Sequence, residues 1–326
     1  MTQHITVKRT PPANLNPKDE ALFSESMEVT FHRLNPITLT NMWILEDTVF
    51  DPAKFAFNSS RTHITKLGPV QFAKRIVYCL PKTWRKIPKA IWVTDEWSAN
   101  YFHWMTDCLP RIWEGIEMAP NSPILLPRSF ENLRYVTDSL KLAGLEVIFF
   151  AKNENLKIAE LTLTARTATF PNFFEPLAKK TRERLSIQPA QTPWKKVYIS
   201  RKLAPKRKAH NEEQVESFLQ ENGFEIVYAE ELSLLEQIKL MSETSLLVCL
   251  HGAALTNMLF LPKSAKVLEL RNVGDSITQC YFNLASALDL PYFYTLNSGD
   301  SKDTIMTDFT IDLEALSHAL SEIETA

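Results

Sequence analysis

The chain has 326 residues, 45% of them hydrophobic and 10% aromatic, enough to bury a sizeable interior and to exclude a disordered polymer. A length beyond one ordinary core points to two domains. A formal net charge of −2 gives no reason to expect nucleic acid as a partner.

The first twenty residues hold no apolar core of a secretory signal, and no apolar run is long enough to span a membrane. The expectation is a cytoplasmic protein, with peripheral association at the inner face of the membrane or with an assembly complex left open. In the first half, strands are expected around 40–50, 72–79, 90–94, 123–126, 145–150 and 158–164. The clearest element is a helix over 99–117, whose core face is Tyr101, Trp104, Met105, Cys108, Leu109, Ile112 and Trp113 at helical spacing. His103, Asp107 and Arg111 recur at intervals of four on another face, and Pro110 should kink or interrupt the helix near Asp107. An imidazole and a carboxylate on one stripe can form a general-base pair; Asp107 and Arg111 can equally be a surface ion pair. The proline-containing stretch 187–195 reads as the linker.

From Lys196 the pattern is regular. Strands at 196–200, 224–228, 246–250, 266–270 and 291–295 alternate with helices starting near Asn211, over 233–242, from Ala253 and over 276–289. Asn211 with Gln214 fits a capping box. Such alternation argues for a parallel sheet covered on both faces, in which ligands bind beyond the carboxyl ends of the strands. That rule singles out Ser200 and Arg201, Glu230 and Glu231, His251 and Gly252, and Glu269. At the third of these ends, SLLVCLHGAALTNMLFLP (245–262) turns from an apolar strand into a helix, which suits an anion approaching Gly252 with His251 beside it. The same turn can be a cap needed only for folding. The loop RKLAPKRKAH (201–210) brings Arg201, Lys202, Lys206, Arg207 and Lys208 to the same edge, as a phosphate clamp or as a solvated basic loop.

Only seven glycines occur, at 68, 115, 144, 223, 252, 274 and 299. Their spacing excludes the G-x-G-x-x-G fingerprint and the G-x-x-x-x-G-K-[ST] phosphate loop, and neither G-x-S-x-G nor H-E-x-x-H is present. Cys79, Cys108, Cys249 and Cys280 are scattered in apolar surroundings, which suggests reduced, buried thiols rather than a zinc site.

NYFHWMTDCLPRIW (100–113), YISRKLAPKRKAHNEEQV (198–215), GFEIVYAEELSLLEQIKL (223–240), HGAALTNMLFLP (251–262) and VLEL (267–270) follow one another in an order that resembles glycosyltransferase family 61, the DUF563 group. That group is described in bacteria as capsular-polysaccharide biosynthesis proteins. It also includes plant xylosyl- and arabinosyltransferases and animal O-linked N-acetylglucosaminyltransferases. The resemblance implies an inverting transferase with two facing Rossmann-like α/β domains of GT-B type: residues 1–190 for the acceptor and 191–326 for a nucleotide sugar, a UDP-sugar first among them. It implies no resident cofactor and no metal, the nucleotide sugar being a co-substrate and a glycan or polysaccharide hydroxyl the acceptor. On this reading Arg201 and Arg207 neutralise the diphosphate. His251, Gly252 and the N–H groups from Ala253 hold the phosphates, with Thr256 and Asn257 nearby, and Glu269 accepts the ribose hydroxyls. Asp107, oriented by His103, is the base, with Asp95 and Glu96 as rivals. The competing readings are a catalytically silent nucleotide-sugar-binding subunit of an assembly complex and a hydrolase built on His103 and Asp107.

Overall fold

The computed structural model describes residues 2–63, 68–187, 192–273, 279–301 and 306–325. Gly274 and the start of the helix expected over 276–289 lie outside them. The chain divides into two compact units, Met1–His4 with His32–Thr169, and Ile5–Phe31 with Phe170–Ala326. Residues 5–31 and 170–187 thus group with the C-terminal half, although the linker reading places the boundary at 190/191. Packing explains the grouping. Arg182, on the helix Glu175–Leu185, donates to the carbonyls of Leu259 and Leu288 at 3.2 and 3.0 Å. The side chain of Asn14 pairs with both backbone groups of Tyr294, at 2.8 and 3.1 Å.

The strands, in chain order, are β1 (Thr2–Lys8), β2 (Glu28–Leu34), β3 (Ile37–Leu45), β4 (Thr48–Asp51), β5 (Ala56–Phe57), β6 (Thr83–Trp92), β7 (Ile124–Pro127), β8 (Val147–Phe150), β9 (Glu154–Leu163), β10 (Lys195–Ile199), β11 (Phe224–Val227), β12 (Thr244–Leu250), β13 (Lys266–Asn272), β14 (Tyr292–Gly299) and β15 (Phe309–Thr310). The first unit is built on a mixed sheet of order β5-β4-β3-β9-β6-β7-β8. β9, β6, β7 and β8 are parallel, whereas β3, β4 and β5 form an antiparallel meander added at β9. This departs from a purely Rossmann-like unit. The stretch 72–79, expected as a strand, belongs to the helix Pro69–Cys79. Its β-branched and aromatic residues mislead. Phe72, Ile76 and Cys79 recur at helical spacing against Leu45 and Phe50, Pro69 sets the first turn, and Gln71 accepts from the Gly68 N–H at 2.9 Å.

The helical stretch Tyr101–Met118 runs under this sheet. Trp104 and Trp113 are fully buried, and the Trp104 indole N–H donates to Ser139 Oγ at 2.9 Å. Gly115 is dictated by packing, since a Cβ there would fall 2.5 Å from Cγ2 of Ile91. The expected interruption near Asp107 takes the form of a single π turn, residues Trp104–Cys108. Pro110 has no N–H to give to the turn before it, and widening that turn accommodates the loss.

The second unit is a doubly wound sheet, β11-β10-β12-β13-β14 all parallel, closed by antiparallel β15. Its core is the run of Leu, Val and Phe on β10 to β14 packed under the helix Leu313–Thr325. Asn211 does not cap its helix. Its amide pairs with the backbone of Ile311, donating to the carbonyl at 2.8 Å and accepting from the N–H at 2.9 Å. All four cysteines are buried free thiols, and burial pushes Cys108 up to about 12, which makes it a poor nucleophile. Among the described residues no helix is long and apolar enough to cross a membrane.

Candidate functional site

In chain order the five parallel strands of the second unit lie as second, first, third, fourth, fifth. The winding direction therefore reverses between β10 and β12, and the crevice at their carboxyl ends is where such sheets take ligands. Ile199 and Cys249 are register partners across this gap. Two residues further on stand Arg201 and His251, with Gly252 next. The Arg201 guanidinium lies across Gly252, where any Cβ would collide with it. Gly252 is extended, so close approach rather than backbone strain is what demands glycine.

Arg201 is only 8% exposed. Its Nε and Nη2 donate to the carbonyls of Arg207 and Lys206 at 2.9 and 2.8 Å and so shape its own loop. Arg207 is held in the left-handed region at φ 56°, with its Nε buried and unpartnered. Among the described residues neither arginine has a carboxylate within ion-pair distance. Burial lowers the Arg201 pKa, and the like charge of Arg207 lowers it further. Two cations drawn together at reduced solvation are costly, and an anion between them relieves the cost.

The helix expected from Ala253 is present as a 3₁₀ helix, Ala253–Phe260. Its first internal bond runs from Leu255 N–H to Gly252 O at 2.9 Å, so the N–H groups of Ala253 and Ala254 precede the ladder. A short 3₁₀ helix aligns fewer peptide dipoles well, which shifts the burden of holding an anion toward the arginines.

His251 and Glu269 form a buried pair, Nδ1 donating to Oε1 at 2.5 Å, while Tyr292 donates to Oε2 at 2.6 Å. Burial works to raise the Glu269 pKa, but the charges of His251 and Arg271 and these two bonds hold it below the ordinary carboxylate value. With both oxygens engaged and 1% exposure, Glu269 fits a partner that orients His251, not an acceptor for ribose. Thr256 and Asn257 also turn inward, at 0% and 1% exposure. Asn257 donates to Gln237 Oε1 at 2.9 Å, which makes it a tie between the 3₁₀ helix and the α-helix Leu234–Ser242 rather than a phosphate contact.

The first unit carries a second polar cluster. His103 Nδ1 donates to Asp107 Oδ2 at 2.7 Å, and Arg166 Nη1 reaches the same oxygen at 3.0 Å. Both contacts fall on Oδ2; Oδ1 has no hydrogen-bond partner among the described residues. The alternative, an Asp107–Arg111 ion pair, does not form. Arg111 is fully buried and reaches Asp95 at 3.1 Å, and Arg166 grips both oxygens of Asp95 at 2.9 and 3.2 Å. Burial works to raise the Asp95 pKa, but the charges of Arg111 and Arg166 hold it below the usual carboxylate range. A doubly paired carboxylate with 3% side-chain exposure is a structural anchor, which removes Asp95 as a rival base.

Sequence reasoning missed Arg166, Gln237 and Tyr292. Arg166 had a usable signal. Trp92 and Leu163 are register partners on parallel β6 and β9, and Asp95 and Arg166 each lie three residues beyond. Gln237 and Tyr292 carried none, because the partners that matter, Asn257 and Glu269, are side chains on other elements with no spacing that links them.

A doubly wound unit with two arginines at its switch point, in a chain with a second mixed sheet, defines an α/β protein. The family model for Glycosyltransferase 61 matches residues 101–268, more than half of the sequence, and the chain belongs to that family. It is also similar to EGF domain-specific O-linked N-acetylglucosamine transferases. Identity is 42% over 62 residues with the Bos taurus protein, covering 19% of this chain and 11% of the relative. With the Drosophila melanogaster protein it is 32% over 114 residues, covering 34% and 21%. The matches thus span 11% to 21% of the length of these relatives.

Proposed function

We propose that the chain transfers a glycosyl group from a nucleotide sugar, a UDP-sugar first among candidates, to a hydroxyl of a glycan or polysaccharide acceptor, with inversion. The observation that carries this reading is the Arg201–Arg207 pair at the switch point, two cations without carboxylate partners among the described residues, with Arg201 laid against Gly252 and bonded to the Arg207 carbonyl. In the reaction the acceptor oxygen bonds to the anomeric carbon and passes its proton to Asp107. The bond from that carbon to the diphosphate oxygen breaks, and its electron pair leaves with the nucleoside diphosphate. Arg201 and Arg207 stabilise the charge that develops there, and the Ala253 and Ala254 N–H groups and His251, fixed by Glu269, add donors. The positive charge is supplied by guanidinium groups, so the scheme needs no metal. Family membership supports glycosyl transfer as the chemistry, and the fragmentary cover of the animal relatives leaves their acceptors with them.

A thermal-shift screen against UDP, GDP, CMP and TDP, with and without EDTA, tests the reading. UDP in excess is expected to raise Tm by mass action and to do so equally in EDTA. No response to any nucleotide overturns the cradle; a response abolished by EDTA overturns the metal-free scheme. Arg201→Ala is expected to weaken UDP binding by about ten- to a hundredfold, the value of a charge-assisted bond to phosphate. Arg201→Lys restores little of it, because a lysine cannot hold the loop carbonyls and a phosphate together. Wild-type UDP affinity in Arg201→Ala, read by calorimetry, would sink the assignment.

A further inference from the structure

Glu269 is sealed off from ligand, so the cradle as described holds a diphosphate and leaves the nucleoside unread. The neighbouring strand end supplies a carboxylate. Ile199 and Val227 are register partners on parallel β10 and β11. Arg201 lies two residues beyond the first, and Glu230 three beyond the second, in the 3₁₀ turn Ala229–Glu231.

That turn is held in place. Gln237 Nε2 donates to the carbonyls of Ala229 and Leu232 at 3.1 and 3.2 Å, closing both ends of the turn. The same side chain accepts from Asn257 at 2.9 Å, and Asn257 belongs to the segment that begins at Gly252. One amide therefore fixes the turn to the phosphate side of the crevice. Its two carboxylates differ. Glu231 lines a groove of about 430 Å³ along the open edge of β11, with Tyr228, Glu236 and Lys239. Glu230 does not line it. Its charge reaches Arg201 and offsets part of the shift that burial and Arg207 cause there. Glu230 is exposed and, among the described residues, makes no hydrogen bond or ion pair of its own.

We propose that Glu230 is the specificity-determining residue of the donor site, its carboxylate accepting the two ribose hydroxyls of a ribonucleoside diphosphate whose phosphates lie on Arg201 and Arg207. The proposal rests on the nucleotide-sugar reading and narrows it to donors that keep a 2′-hydroxyl. A carboxylate is the natural acceptor for vicinal hydroxyls, and the end of a strand beside the switch point is where doubly wound sheets place it. A 2′-deoxy donor leaves one carboxylate oxygen without its partner.

Calorimetry with UDP, 2′-deoxy-UDP and inorganic pyrophosphate, on wild type, Glu230→Ala, Glu231→Ala and Arg201→Ala, tests it. Wild type is expected to bind UDP about fivefold or more tighter than 2′-deoxy-UDP. Glu230→Ala should weaken UDP by about tenfold, lose the discrimination, and bind pyrophosphate as well as wild type or better, because a negative charge near the arginines has gone. Glu231→Ala should keep the discrimination, and Arg201→Ala should weaken all three ligands. Persistent discrimination in Glu230→Ala overturns the assignment and leaves the cradle standing. Equal loss of UDP and pyrophosphate also overturns it, since that marks a structural role. Wild type that binds pyrophosphate but no nucleotide overturns the donor reading itself, and this assignment with it.

Discussion

Asp107→Asn is expected to lower the rate of nucleoside diphosphate release in the presence of acceptor by about a hundred- to ten-thousandfold, the range of a lost general base, while UDP affinity stays at the wild-type value. The reason lies in how the two oxygens are used. His103 and Arg166 both address Oδ2, which fixes the plane of the carboxylate and leaves Oδ1 able to take a proton. The side chain is 13% exposed, enough for a substrate hydroxyl to reach it. Asparagine keeps the shape and can still accept from His103, but it cannot take a proton at neutral pH. Arg166 loses one of its ion pairs and retains both bonds to Asp95, so the fold should tolerate the change. His103→Ala is expected to act through Asp107 and to cost less. The measurement is a progress curve of diphosphate release, set beside calorimetric UDP titration on the same preparations. Normal turnover in Asp107→Asn would remove it as the base. Glu96, exposed just beyond the anchor Asp95, would then be tried next.

The second unit was largely legible because each of its elements announces itself locally. Runs such as LLVCL and KVLEL are buried on both faces, and a parallel sheet needs such continuous apolar strands. Arg201, His251 and Gly252 could be placed at one edge from strand direction alone. The order of the strands could not, since nothing in β11 says that it lies outside β10, and that order is what makes a switch point. The 3₁₀ winding after Gly252 was also invisible, because the apolar spacing of AALTNMLF suits either helix. In the helical stretch Tyr101–Met118 of the first unit the failure is one of phase. Intervals of four on an ideal α-helix put Asp107 and Arg111 on one face. The π turn at Trp104–Cys108 inserts an extra residue and rotates the remainder of the helix, so that Arg111 swings inward to Asp95. Asp107 then takes its cation from Arg166, far along the chain and on no motif. Residues 5–31 were silent for a similar reason: Asn14 joins β14 through a side-chain amide, which leaves no periodic trace.

The largest loss of stability should come from Asp95, a residue that does no chemistry in this scheme. Arg111 is fully buried, and among the described residues its guanidinium meets, besides Asp95, only neutral oxygens, Thr164 Oγ1 at 3.0 Å and the carbonyls of Arg61 and Thr164 at 3.0 and 3.3 Å. Asp95→Ala strands that charge in the interior and frees Arg166 as well. The expected cost is about 3–5 kcal/mol, the range for breaking a buried pair by deleting one partner. Asp95→Asn should cost less, because an amide oxygen still accepts from one guanidinium. The same pairing fixes the acid limb. A carboxylate held below its ordinary value of 3.8 contributes its full stability above that pH. The contribution is lost as pH falls through the lower, folded value, when the unfolded chain has already bound its proton. Urea unfolding from pH 7 down to about 3 should therefore show wild type losing stability below about pH 4, with this component absent in Asp95→Asn. An Asp95→Ala protein within about 1 kcal/mol of wild type would mean that the buried arginine finds another anion. The pairing with Asp95 would then not be what keeps Arg166 in reach of Asp107.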